Sequence, residues 1–156
     1  MIFFEWLESS FLAVWVGESL WGYPVMLSAH AVGLSIVVGM AVVVDLRLLN
    51  AFSAIRIDSL GGLFKLGGFG FLINACSGFA LFSSQATEFI ESTAFLLKIS
   101  MIIVAVFISA LLYAHLEKSR LRGEDNTVPS RTKILAWTSI AVWAGAVITG
   151  RLVAYF

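Results

Sequence analysis

The sequence is short of cysteine, proline, histidine and charge. Of its 156 residues, one is a cysteine, two are prolines and two are histidines, and 13% are charged. A lone cysteine, Cys76, excludes an intrachain disulfide and any metal site built from several cysteines. The 10 basic and 10 acidic side chains give a formal net charge of zero, so the composition indicates no nucleic-acid partner.

The motifs of common enzymes are missing from the sequence as well. It contains no phosphate-binding glycine loop, no paired histidines at metal-protease spacing and no nucleophile–base pair. We therefore expect no hydrolase, and no catalytic activity of the chain on its own.

Long apolar segments are what the chain has in excess. Hydrophobic residues make up 60% of it, and the mean hydropathy is +0.95. A helix needs about 20 mostly apolar residues to cross a bilayer, and four segments meet that length. They cover residues 25–49, 63–84, 93–116 and 133–155. This pattern predicts an all-α, polytopic membrane protein in contact with the lipid bilayer, with residues 1–156 forming one membrane domain.

The segment before the first span, residues 2–21, is apolar at helical spacing but is interrupted by Glu5, Glu8 and Glu18. Such a pattern is typical of an amphipathic helix that lies in the membrane interface. Within the spans, small residues recur at four-residue steps, which lets membrane helices approach closely. We therefore expect an antiparallel bundle of four transmembrane helices, preceded by an interfacial amphipathic helix.

The loops between the spans differ in charge. The first and third loops are rich in lysine and arginine, whereas the second, residues 83–93, holds Glu88 and Glu91 and no basic residue. Basic loops stay on the cytoplasmic side of a membrane. We therefore expect a bacterial inner-membrane protein with both termini on the periplasmic side.

In this orientation three ionisable residues lie at about the same depth in the outer leaflet. His30 lies about six residues inside the periplasmic end of its span, or ~9 Å at the helical rise, and Lys98 and Arg151 lie about as far inside theirs. An ionisable residue within a span indicates a functional site. Gly33, one turn after His30, is expected to leave room for a flat group, and Asn74 lies on the glycine-rich second span.

Simpler explanations of these residues remain open. Lysine and arginine near helix ends can extend to the lipid headgroups without any ligand. The His30 side chain can also bond a neighbouring carbonyl or the Asn74 amide. His115 lies at the opposite end of the third span, ~25 Å from the level of Lys98 by helical rise, so the two histidines of one chain are not expected to hold one cofactor together.

Four short motifs carry a resemblance that extends over most of the chain. They are LSAHAVG at residues 27–33, DLRLL at 45–49, FLLK at 95–98 and GRL at 150–152. With them the chain resembles an uncharacterised family of small four-helix bacterial inner-membrane proteins. More distantly it is similar to copper-resistance D-like and cytochrome b561-like bundles, whose span histidines bind haem or metal. The b561-like bundles use paired histidines at matching depth. In this chain only His30 matches such a position, so the likeness implies a ligand role for His30 alone.

The leading hypothesis from these residues is a b-type haem in the outer leaflet, for electron transfer or for redox or gas sensing. His30 would be the axial ligand, while Lys98 and Arg151 would neutralise the haem propionates. Gly33 and the second span, including Asn74, would admit the macrocycle. The other axial position would be open, or filled by a second subunit or by a methionine, the candidates being Met26, Met40 and Met101.

Two alternatives come from other classes of protein. The chain would be a non-catalytic subunit of a larger membrane complex, or a homo-oligomer, if its glycine faces serve as packing surfaces. It would be a copper-handling protein if His30 and Met26 bind that metal, since imidazole and thioether ligands suit copper. The first alternative predicts no cofactor in the isolated chain, and the second predicts metal without a porphyrin spectrum.

Overall fold

A computed structural model describes residues 2–52, 60–122 and 128–152, except for the side chains of residues 119–122. Within these ranges all regular structure is helical and there is no strand. The described helices are α1 (Ile2–Glu8), α2 (Phe11–Glu18), α3 (Gly22–Leu48), α4 (Leu60–Ser83), α5 (Ala86–Glu91), α6 (Thr93–Arg122) and α7 (Ser130–Leu152).

Four of the helices, α3, α4, α6 and α7, are long and apolar enough to cross a membrane. Each begins at or up to three residues before the span predicted for it. Many of their large apolar side chains face outward, as Ile103 (64% exposed), Phe107 (63%) and Ile148 (60%) do. Such exposure suits contact with lipid and confirms the prediction of four apolar helices; the last predicted span continues to residue 155, beyond the described residues.

The N-terminal segment differs from the single helix predicted over residues 2–21. It forms two short helices, α1 and α2, which are separated at Ser9 and Ser10. The Ser10 hydroxyl accepts a hydrogen bond from the Ala13 N–H (3.3 Å) and caps α2. Serine favours helix starts over helix interiors because its hydroxyl competes for backbone groups. The apolar periodicity alone did not reveal this break.

Two hydrogen bonds to the Glu8 carboxylate connect α1 to the short helix α5. The Glu8 carboxylate oxygen Oε1 accepts from the Thr87 N–H (2.8 Å) and from the Thr87 hydroxyl (2.7 Å). Thr87 lies in the first turn of α5, where backbone N–H groups need an acceptor. Glu8 therefore fastens the N-terminal segment to the connection between α4 and α6.

We expect this contact to make stability depend on acid. The Thr87 hydroxyl and N–H hold the pKa of Glu8 below its usual value of 4.5. The stabilisation is therefore complete above that value and is lost as the pH falls through the lowered pKa of the folded state. In Glu8→Gln the thermal midpoint should fall less between about pH 7 and about pH 3 than it does in the wild type. Glu5→Gln, at an exposed position of the same helix, should leave the profile as in the wild type; equal effects would contradict the prediction.

The closest helix contact joins α3 and α4. A Cβ on Gly33 would lie 2.6 Å from the Asn74 nitrogen and 2.8 Å from the Gly70 carbonyl oxygen. Further along, Met40 fills the space beside Gly67. Residue numbers thus rise on α3 as they fall on α4. Small residues allow this backbone approach, which drives helix association in lipid.

The second helix pair is α6 and α7. Met101 packs against Gly145, and the Lys98 side chain lies along Gly150. The two pairs meet through α3 and α7, where Val37, Ala41 and Trp143 form a buried cluster with Ala105 of α6. The remaining pair, α4 and α6, is in contact at few positions. A gap therefore separates these two helices along part of their length.

Candidate functional site

His30 is held by α4 through one side of its ring. Its Nδ1 lies 3.0 Å from the Asn74 carbonyl oxygen, and the Asn74 side-chain amide donates to the His30 carbonyl oxygen (2.9 Å). Because a carbonyl can only accept, Nδ1 must carry the proton in this bond. In the neutral ring the lone pair is then on Nε2, for which no hydrogen-bond partner is found among the described residues.

Two small residues of α4 make room for the ring. A Cβ on Gly78 would lie 3.0 Å from His30 Cε1, and the Ser77 hydroxyl oxygen is 3.4 Å from Nδ1. Ser77 itself donates to the Ile73 carbonyl (2.6 Å). On one face of α4, the Asn74 carbonyl thus accepts the hydrogen bond from His30, and Gly78, four residues later, leaves space for the ring. A bond from His30 to a neighbouring carbonyl or to the Asn74 amide was one of the predicted options, whereas the contact of the His30 ring with Gly78 was not predicted.

His30, Lys98 and Arg151 line one cavity of about 550 Å³, here called the wide cavity. A central cavity of about 240 Å³ continues from the same three residues towards Val37 and Trp143. Ligand pockets commonly measure about 300–1,000 Å³. The structure therefore brings together the three ionisable residues that the sequence placed at one depth, beside a space of ligand size.

The wide cavity combines a cationic side with an aromatic side. The Lys98 side chain is half-buried and runs along Gly150, whose hypothetical Cβ would lie 3.2 Å from Lys98 Cε. No hydrogen bond or ion pair of the Lys98 ammonium is found within residues 2–52, 60–122 and 128–152. Arg151 is exposed at the same cavity, which Glu88 also lines. A half-buried ammonium without a partner favours an anionic ligand.

Three phenylalanines form the aromatic side. The rings of Phe82, Phe89 and Phe95 stack on one another with centroid separations of 5.3–6.4 Å, and all three line the wide cavity. Phe4 of α1 meets Phe82 edge to face at 6.3 Å. The N-terminal segment therefore helps to hold this wall in place.

Gly33 and Asn74 lie at the contact between α3 and α4. Gly33 is buried against the backbone of α4 and is not among the residues lining either cavity. The space beside His30 is lined by residues of α4 as well as of α6 and α7. Asn74 lines the central cavity, but its amide is engaged with the His30 backbone. Both residues thus position α3 against α4.

A purely protein-built metal site is not apparent in the described part of the chain. There, no three His, Cys, Asp or Glu residues are grouped closely enough to hold a metal ion. Met26, Met40 and Met101 are absent from the lining of both cavities that contain His30. Met101 packs on Gly145, and Met40 packs on Gly67. Met40 and Met101 thus each pack against a glycine of the neighbouring helix.

His115 is separated from this site along α6. It is exposed and lies seventeen residues after Lys98 in the same helix, or ~25 Å by helical rise. Asp45 lies fifteen residues after His30 on α3, or ~22 Å by helical rise, and is thus at the same end of the bundle as His115. Neither residue lines the wide or the central cavity.

These features define a multi-pass membrane protein with a cationic, histidine-containing cavity at one end of its helices. The chain belongs to the family of unknown function DUF6644, whose model matches residues 3–156. No curated protein and no solved structure matches it. The likeness to copper-resistance D-like and cytochrome b561-like bundles therefore stays a prediction.

Proposed function

We propose that this protein holds a b-type haem at the wide and central cavities, with His30 as an axial ligand, for electron transfer or for redox or gas sensing. The observation that carries the proposal is the hydrogen bond from His30 Nδ1 to the Asn74 carbonyl oxygen. Ligating histidines commonly donate their other ring nitrogen to a carbonyl, which fixes the tautomer and the ring orientation. His30 has that arrangement, with Nε2 left to bind iron.

The charges of the cavity support the same ligand. Lys98 and Arg151 would pair with the two propionates, which are carboxylates, while the stacked phenylalanines would contact the apolar edge of the macrocycle. A bound haem supplies one-electron and gas-binding chemistry, and its potential depends on the axial ligand, hydrogen bonds and burial. The chain itself contributes binding, orientation and two cations near the propionates.

The proposal includes an arrangement in the membrane. We propose an antiparallel four-helix bundle, supported by the opposite order of contacts along α3 and α4 and along α6 and α7. The basic first and third loops favour a bacterial inner-membrane protein with periplasmic termini. Besides His30, a small gas molecule or a residue of a second copy or of a partner subunit would be able to bind the haem.

The test is an optical spectrum of the detergent-purified protein from haem-replete cells, first oxidised and then reduced. The expected result is a Soret band that shifts on reduction, together with about one haem per chain or per oligomer. A featureless spectrum would overturn the proposal and favour a cofactor-free subunit. Copper in stoichiometric amount without porphyrin bands would favour the copper-handling alternative instead.

A charge variant tests the propionate contact. Lys98→Gln should retain haem about tenfold more weakly than the wild type, since hydrogen bonds to charged groups contribute more than neutral ones. Haem transfer to an acceptor protein measures this retention. Lys118→Gln, on the same helix but at its other end, is the matched control. If both variants hold haem as the wild type does, Lys98 has no contact with the propionates.

A further inference from the structure

Another cavity adjoins the central cavity further along the bundle, between α4 and α6, and Val37, Phe71 and Trp143 line both. This α4–α6 cleft measures about 340 Å³ and is walled by Phe64 and Phe71 of α4 and by Val106 and Tyr113 of α6. Its floor includes Val37 and Trp143, which are 5% and 4% exposed. The cleft thus reaches from the lipid-facing surface to the contact between α3 and α7.

The cleft exists because one of two adjacent glycines of α4 is covered by a side chain of α3 and the other is not. The space beside Gly67 is filled by Met40 of α3. Gly68, the next residue, also lines the cleft, but a Cβ there would meet nothing within 4 Å. The α4 surface at Gly68 is therefore smooth and open. A gap of this size that faces hydrocarbon is not left empty, because open apolar surface loses its packing contacts.

The charge at the cleft identifies its occupant. Lys65 lines the cleft on α4, five residues after that helix begins, and its side chain is exposed. The other lining residues are neutral, and most of them are apolar or aromatic. An exposed cation beside an apolar cleft complements an amphiphile with a negative headgroup and a hydrocarbon chain. Basic pockets between membrane helices bind anionic lipid headgroups in this way.

We propose that the α4–α6 cleft binds one anionic phospholipid, with an acyl chain against Phe71 and Trp143 and its phosphate near Lys65. Such a lipid differs from those of the surrounding bilayer, because its chain reaches buried residues of α3 and α7. It fills the gap where α4 and α6 do not pack. The inference does not rest on the haem proposal, and Lys65 and Gly68 line neither cavity of that site. Phe71 and Trp143 line both the cleft and the central cavity, so the lipid chain and the haem would adjoin there.

The test measures lipid that remains bound after purification in a mild detergent. Native mass spectrometry and phospholipid analysis should find about one phosphatidylglycerol per wild-type chain. Gly68→Phe fills the cleft from an open position and should remove most of this lipid. Lys65→Gln should lower its retention about fivefold, which is the scale of one lysine near an anionic headgroup. Gly39→Phe is the matched control, because a Cβ at Gly39 also meets nothing within 4 Å and Gly39 lies outside the cleft.

The outcomes separate this proposal from its competitors. Equal lipid retention in the wild type, Gly68→Phe and Lys65→Gln would overturn it, as would loss of lipid from Gly39→Phe. A neutral isoprenoid compound in the organic extract would identify a different occupant. A change from dimer to monomer in Gly68→Phe without loss of lipid would assign the cleft to a second copy. Helical circular dichroism checks that each variant is folded.

Discussion

Replacing His30 with alanine should abolish the Soret band of the purified protein. His30 lines both cavities with an imidazole nitrogen that can bind iron. Among the described residues, no second histidine and no methionine lines either cavity. If haem binds as proposed, the substitution would remove the histidine that would hold its iron. The cations at Lys98 and Arg151 would remain, but propionate contacts alone do not hold the iron in a fixed coordination.

Two further variants make the His30 result specific. His30→Gln keeps a side-chain N–H that can donate to the Asn74 carbonyl, so it tests the loss of the ligand with less disturbance of α3 and α4. His115→Ala removes the other histidine, ~25 Å from the level of Lys98, and should leave the band unchanged. Loss of the band in His115→Ala, or its survival in both His30 variants, would contradict the assignment of the ligand.

The second large effect is expected at Gly33, where one added methyl group should weaken the whole α3–α4 contact. In Gly33→Ala the new Cβ would meet backbone atoms of Asn74 and Gly70 at 2.6 and 2.8 Å. Backbone cannot rotate away as a flexible side chain can, so the helices must separate. Overpacking of this kind typically costs about 1–3 kcal/mol, which corresponds to a fall in thermal midpoint of roughly 2–12 °C.

Gly39 is the matched control for this substitution. It lies on the same helix, and a Cβ there would meet nothing within 4 Å. Because alanine is a better helix former than glycine, Gly39→Ala should be neutral or slightly stabilising. Thermal unfolding in detergent, followed by helical circular dichroism, compares the two. A wild-type midpoint in Gly33→Ala would show that α3 and α4 are less closely packed there than in this structure.

Hydropathy was sufficient to predict the four long helices, because a membrane span is defined by length and apolar content. The same approach did not reveal the break at Ser9 and Ser10, which depends on the Ser10 hydroxyl accepting a backbone hydrogen bond. It also did not predict α5, whose first turn depends on Glu8 from a distant part of the chain. Capping contacts of this kind have no periodic signal in the sequence.

The candidate site was partly predictable for a similar reason. Helical rise gave similar depths for His30, Lys98 and Arg151, and these residues line one cavity. Depth does not specify which neighbour a helix face meets, so Gly33 was expected beside a cofactor although it contacts the backbone of α4. A backbone carbonyl could be predicted as one possible partner of His30, but not which one, because backbone acceptors occur at every turn of a helix.

Among the four long helices, the close contacts of glycines occur within each helix pair, α3 with α4 and α6 with α7. Each pair can therefore enter the bilayer as a hairpin that already satisfies its own backbone and buries its own small residues. His30 and its acceptor belong to the first hairpin, whereas Lys98 and Arg151 belong to the second. His30 and the two cations consequently meet only when the hairpins join. Binding competence would then arise at the last step of assembly, after both halves of the chain have been inserted.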